Sequence, residues 1–190
     1  ATKYIVGHAD AMLGIIVANQ RTYPTIRNNA VRFGQSAGPD DIYLGLRGLR
    51  TLPTRLRHHQ DQGLRLAKWL QKRPEVIKVL HPGLEGDQGH TLWKRDFSGA
   101  SGLFGVLLND YTDTAVAAML DGLKLFGMGY SWGGFESLIL PVQPALSRSA
   151  TVWSAQTPLL RIHVGLESLQ DLTADLEEGF NRLDDDKLKG

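Results

Sequence analysis

The sequence predicts an α/β fold, a mostly antiparallel sheet with helices on one face, preceded by the tail of another domain. Two observations lead there. From residue 40 onward, segments of helical apolar spacing and short apolar runs follow in the order helix, strand, strand, helix, strand, strand, strand, helix. Before residue 40 the pattern differs, and the chain opens at Ala1-Thr2-Lys3-Tyr4 with no cap, turn or linker. That opening leads to the expectation that the chain is a piece of a longer protein, divided into 1–39 and 40–190.

Tyr4-Ile5-Val6 and Leu13–Ala18 are short apolar runs rich in β-branched residues, separated by the turn-like Gly7-His8-Ala9-Asp10, so two strands are expected. Residues 20–36 read as a short helix with Ile26, Ala30 and Phe33 on one face. Gly38-Pro39-Asp40-Asp41 signals a helix start with an Asp as N-cap. Ile42, Leu46, Leu49, Leu52 and Leu56, then Leu66, Trp69 and Leu70, extend one amphipathic helix over 42–72, kinked near Pro53. Its other side carries Arg47, Arg50, Arg55, Arg57, Arg65, Lys68, Lys72 and Arg73 against Asp61 alone. Such a side is a solvated face, a contact with another part of the protein, or a surface for nucleic acid or an acidic partner, and the solvated face or internal contact is the expectation.

Val76–Leu80 reads as a strand ended by His81-Pro82-Gly83, and the glycine-rich 83–101 as an irregular loop. Leu103–Leu108 is a second strand and Asp113–Leu125 a helix. Phe126–Ser131, Ser137–Val142 and Leu159–Val164 are three further strands, with a loop over 143–157. A last helix opens at Ser168 and presents Leu169, Leu172, Leu176, Phe180 and Leu183, and the charged 184–190 is expected to fray.

Composition narrows the function. A formal net charge of +1 argues against nucleic acid or acidic lipid as a partner. Zero cysteines exclude disulfides and thiolate–metal sites, and the six histidines show no metal-ligand spacing. No apolar run approaches the roughly 20 residues of a membrane span.

Three clusters carry candidate chemistry. Lys3 follows Thr2 and leads into Tyr4-Ile5-Val6-Gly7-His8-Ala9-Asp10. Tyr130-Ser131-Trp132-Gly133-Gly134-Phe135-Glu136-Ser137-Leu138 pairs aromatic and hydroxyl groups with two glycines, which suit either a turn or close approach to a ligand. Arg161 lies inside the apolar Leu159-Leu160-Arg161-Ile162-His163-Val164, where a charge is costly unless paired. On the residues alone it is a structural ion pair or an edge residue.

Together these segments resemble the Cys/Met-metabolism enzymes that depend on pyridoxal 5'-phosphate (PLP), and the resemblance runs along essentially all of the chain. It implies the C-terminal part of a fold-type I PLP enzyme, with 1–39 ending the large PLP-binding domain. Lys3 is then the catalytic Schiff-base lysine, and Thr2 directs its hydroxyl at the cofactor phosphate. Arg161 forks onto the substrate α-carboxylate, for which a guanidinium is geometrically suited. Its surroundings, Thr157-Pro158-Leu159-Leu160-Arg161, are close to the family pattern but not identical to it. Ser131 is expected beside that carboxylate, with Tyr130 and Trp132 lining the distal side of the pocket. The form Tyr-Ser-Trp-Gly-Gly resembles bacterial cystathionine β-lyases, whereas γ-synthases and γ-lyases usually carry Glu-Ser-Leu-Gly-Gly. The implied activity is carbon–sulfur β-elimination on an amino acid, in a cytoplasmic homo-oligomer, typically a tetramer. A γ-type enzyme and a non-catalytic fragment are the alternatives.

Overall fold

The computed structural model describes residues 1–184. The elements in chain order are α1 (Tyr23–Arg32), α2 (Pro39–Leu70), β1 (Val76–Leu80), α3 (His90–Asp96), β2 (Leu103–Leu108), α4 (Asp113–Asp121), β3 (Leu138–Val142), β4 (Leu159–His163) and α5 (Leu169–Asp184). A short 3₁₀ turn spans Pro144–Leu146. The end expected to fray lies outside the described residues, apart from Asp184 at the close of α5.

The four strands form one sheet in the order β1-β2-β4-β3, with every pair antiparallel. This is the predicted fold class. β2 shows why the strands sit as they do. Phe104, Val106 and Leu108 are buried while Leu103, Gly105 and Leu107 are half-buried, the alternation of a pleated strand with one core face. Across the sheet Phe104 pairs with Ile162 and Val106 with Leu160. α2 packs on β1, β2 and α5, and α4 lies along α5. The core joins Leu66, Leu70, Met119, Ile139, Leu172, Leu176 and Phe180 between these layers. Asp175 of α5, itself buried, closes the turn after α4 by accepting the backbone N–H groups of Lys124, Leu125 and Phe126.

Five expectations are corrected. Tyr4-Ile5-Val6 is not a strand but a turn, closed by Val6 N–H to Ala1 O and Gly7 N–H to Lys3 O. Leu13–Ala18 is irregular: among the described residues no strand pairs with it, and β-propensity needs a ladder. Phe126–Ser131 is also irregular, joined to the sheet by a single bridge between Gly127 and Leu138. The loop read over 83–101 contains α3. α2 starts from Gly38 with Pro39 at its first turn and no side-chain cap, so Asp40 and Asp41 sit inside the first turn, where negative charge favours the helix dipole. α2 then continues through Pro53 as one element. α1 forms as expected but buries nothing, and Phe33 beyond it is exposed.

Candidate active site

The turn that carries Lys3 is held by α2. Arg55, only 8% exposed, donates from Nη1 to Tyr4 O, from Nη2 to Ile5 O and Gly48 O, and from Nε to Thr51 Oγ1. Its charge is therefore spread over carbonyl oxygens, and burial lowers its pKa. Gly48 makes the approach possible, since a Cβ there would lie 2.2 Å from Ile5 O. The basic side of α2 is thus not wholly solvated: Arg55 is a ligand of the Lys3 segment.

The loop 129–134 is held by β4. Residues 161 and 163 share one face of that strand, by the two-residue period of the pleat. Arg161 Nη2 donates to Tyr130 O at 2.6 Å, with Gly129 O and Ser131 O at 3.3 and 3.4 Å. Gly133 N–H donates to His163 Nε2 at 3.0 Å. Gly133 has φ +80°, and a Cβ there would meet Tyr4 N at 2.7 Å and Lys3 C at 2.9 Å. Only a glycine lets the loop close onto the lysine's own backbone.

Four of the expected residues come together as a result. Lys3 Nζ donates to Ser131 Oγ at 3.0 Å and stands 4.8 Å from the centroid of the Trp132 ring. Arg161 Cζ lies 5.5 Å from the same ring. Two cations on one indole are attracted to its face. Arg161 makes no ion pair among the described residues, and its hydrogen bonds go to backbone carbonyls. Its half-buried guanidinium rests on carbonyls and can still receive an anion. Tyr130 gives the cluster its carbonyl, while its side chain is 82% exposed. Thr2 turns elsewhere: its hydroxyl accepts Leu13 N–H at 2.9 Å and lies 3.4 Å from Leu13 O.

Beneath the cluster lies a pocket of rings that the sequence reading missed. His163, 1% exposed, packs 5.9 Å from Tyr4 and 5.3 Å from His59. Burial pulls His163 down to about 4; the Gly134 carbonyl opposes this, and the positive charges of His59 and Arg161 add to it. His59, also buried, holds Val164 O through Nδ1 and is likewise lowered, chiefly by burial. Tyr4 stacks edge-on against His59 at 5.3 Å, and burial raises its hydroxyl pKa. The two-residue spacing from Arg161 puts His163 on the same strand face but does not mark its backbone partner, and nothing marked Arg55 among the other arginines of α2.

A model of the Cys/Met metabolism PLP-dependent enzymes matches residues 1–181. The chain belongs to that family. It is 50% identical over 186 residues to a cystathionine β-lyase of Salmonella typhimurium and 48% identical over 187 residues to one of Escherichia coli, covering 96% of this chain in each case. Among solved structures, a cystathionine γ-synthase from Xanthomonas oryzae pv. oryzae in complex with cystathionine is 35% identical, with a TM-score of 0.82 over 97% of this chain and 49% of that one. The chain spans about half the length of these relatives, 47% of the two lyases.

The donor set fits the family's cofactor and its amino-acid substrates. A primary amine, a hydroxyl, an aromatic ring and a guanidinium without a carboxylate partner meet in one place.

Proposed function

We propose that the protein containing this chain is a PLP-dependent carbon–sulfur β-lyase that converts cystathionine and water to homocysteine, pyruvate and ammonia. The observation that carries the reading is the convergence of Lys3 Nζ and the Arg161 guanidinium on Trp132. β-Elimination needs a base at Cα and a group that fixes the α-carboxylate, and those two residues supply them.

PLP, when bound, supplies an electron sink for the pair left at Cα. Lys3 Nζ would hold the cofactor's aldehyde carbon before substrate enters. Thr2 would meet the phosphate once its hydroxyl leaves Leu13. With substrate present, Lys3 is a free amine and takes the Cα proton. The same nitrogen then returns a proton to the departing sulfur. Arg161 grips the α-carboxylate by two parallel N–H bonds, exchanging neutral carbonyl partners for a charged one. Ser131 Oγ, already bonded to Lys3 Nζ, orients that amine and borders the carboxylate. Trp132 and Tyr130 would line the distal side of the pocket. In this reading 1–39 ends the large PLP-binding domain, 40–190 is the C-terminal domain, and the intact enzyme is a cytoplasmic homotetramer.

The test is product analysis on cystathionine with the intact protein and PLP. Pyruvate with homocysteine is expected. Cysteine with 2-oxobutyrate would instead establish the γ-type activity that the similarity to a γ-synthase keeps open. Lys3→Ala should lower kcat by roughly 10²–10⁴-fold, the usual worth of a positioned base. An unaltered kcat would remove Lys3 from that role.

A further inference from the structure

The contact between His163 and the loop decides more than local packing. His163 Nε2 has two neighbours of opposite kind, Gly133 N at 3.0 Å and Gly134 O at 3.3 Å. If Nε2 carried the proton, two N–H groups would face each other across the shorter contact, and the buried Gly133 N–H would lose its acceptor. Nε2 therefore bears the lone pair, and the single proton of the neutral ring sits on Nδ1. Nδ1 is buried with no hydrogen-bond partner among the described residues, and a second proton would have to go to Nε2, where the Gly134 carbonyl at 3.3 Å would receive it but the Gly133 N–H already points at 3.0 Å. The side chains packed against the ring do not favour one: Tyr4 is neutral, and His59 and Arg161 contribute no negative charge.

We infer that His163 is a positioning residue, whose neutral imidazole accepts the Gly133 N–H and so holds Ser131 and Trp132 against Lys3. The inference rests on the reading of Lys3, Ser131, Trp132 and Arg161 as one site. β4 thereby grips the loop at two points of opposite polarity: Arg161 donates to its carbonyls, and His163 accepts from its amide. Arg161 must turn to a carboxylate when substrate binds. The His163 contact involves no substrate atom and keeps the loop in place while that exchange occurs.

The experiment is amide hydrogen exchange by mass spectrometry with residue-level fragmentation, run on the intact protein beside steady-state kinetics. In the wild type the Gly133 amide should exchange far more slowly than that of exposed Tyr130. Equal rates would overturn the inference whatever the variants do. His163→Leu, which lacks an acceptor, should speed exchange over 130–134 while the β2 and α5 peptides keep their protection. It should raise KM roughly tenfold, with a smaller loss of kcat, because the loop shapes binding more than proton transfer. His163→Gln, with Oε1 in place of Nε2, should restore both readouts most of the way. A Leu variant with unchanged loop exchange, or a folded Gln variant as impaired as Leu, would refute the assignment. Absence of lyase activity in the wild type would sink the functional reading alone, since the exchange measurement needs no substrate.

Discussion

The sheet with α2, α4 and α5, and the segment before α2, use similar apolar residues to opposite effect. In the first, Leu108, Ile139, Ile162, Leu172, Leu176 and Phe180 are essentially inaccessible. In the second, Ile15, Ile16, Val17 (89% exposed), Val31 and Phe33 (78% exposed) face outward. The sheet, α4, α5 and the end of α2 close on one another, whereas the first half of α2 leaves Ile42, Tyr43, Leu46 and Leu49 exposed. The N-terminal segment is held at its start, by the Arg55 fan onto Tyr4 and Ile5, the buried Val6 and the Tyr4 ring against His59 and His163. Apolar sequence alone therefore does not make a core; a partner surface does. The candidate active site lies where the two regions meet, with Lys3 from one and Ser131, Trp132 and Arg161 from the other.

The comparison can be broken at its strongest point first. Phe180→Ala should cost about 3–5 kcal/mol in denaturant unfolding, the usual penalty for emptying a buried aromatic site. A loss below 1 kcal/mol would mean that α5 is not integral to the core. The junction is tested by pH. His163 is lowered in the folded state to about 4, so the unfolded chain binds its proton first as pH falls. Stability conferred by the neutral ring is complete above the unfolded value near 6.5 and drains away as pH drops toward 4, by at most about 3 kcal/mol. His59 is lowered too, and acts in the same direction. Urea midpoints measured across this range, in wild type and His163→Gln, check it; equal slopes in both would exclude His163 as the titrating group. The smallest effect belongs to the outer segment. Val17→Ser in this chain should shift stability by no more than about 0.5 kcal/mol, as exposed positions do. A loss above 1 kcal/mol would show that the segment has a packed face after all.

Legibility followed the same division. The strands β1, β2, β3 and β4 and the helices α2, α4 and α5 could be read from period and punctuation, but in α2 only the end of the expected apolar stripe is buried, at Leu66 and Leu70: Ile42, Leu46 and Leu49 are exposed, and Gly45, Gly48, Arg55 and His59 are buried in that half of the helix instead. Tyr4–Val6, Leu13–Ala18 and Phe126–Ser131 were misread as strands because β-branched residues describe a surface that suits a ladder, not whether one is available. α3 went unseen because glycines flank a helix of only seven residues, His90–Asp96. In the site, Lys3, Ser131, Trp132 and Arg161 were legible through motifs, as was the family. Arg55 and His163 were not, since each acts on the backbone of a segment distant in sequence, and backbone carbonyls and amides leave no trace in residue identity.

By itself the sequence determined the fold class, the family and four side chains able to meet in one place. Only the tertiary structure decided that Arg161 rests on carbonyls, that Gly133 abuts the backbone of Lys3, and that a buried histidine accepts the loop's amide. The physical reason is range. Period and motif encode what a segment prefers locally, whereas hydrogen bonds between residues 30 to 130 apart, such as Gly133–His163 and Lys3–Ser131, exist only after the core has brought their elements together.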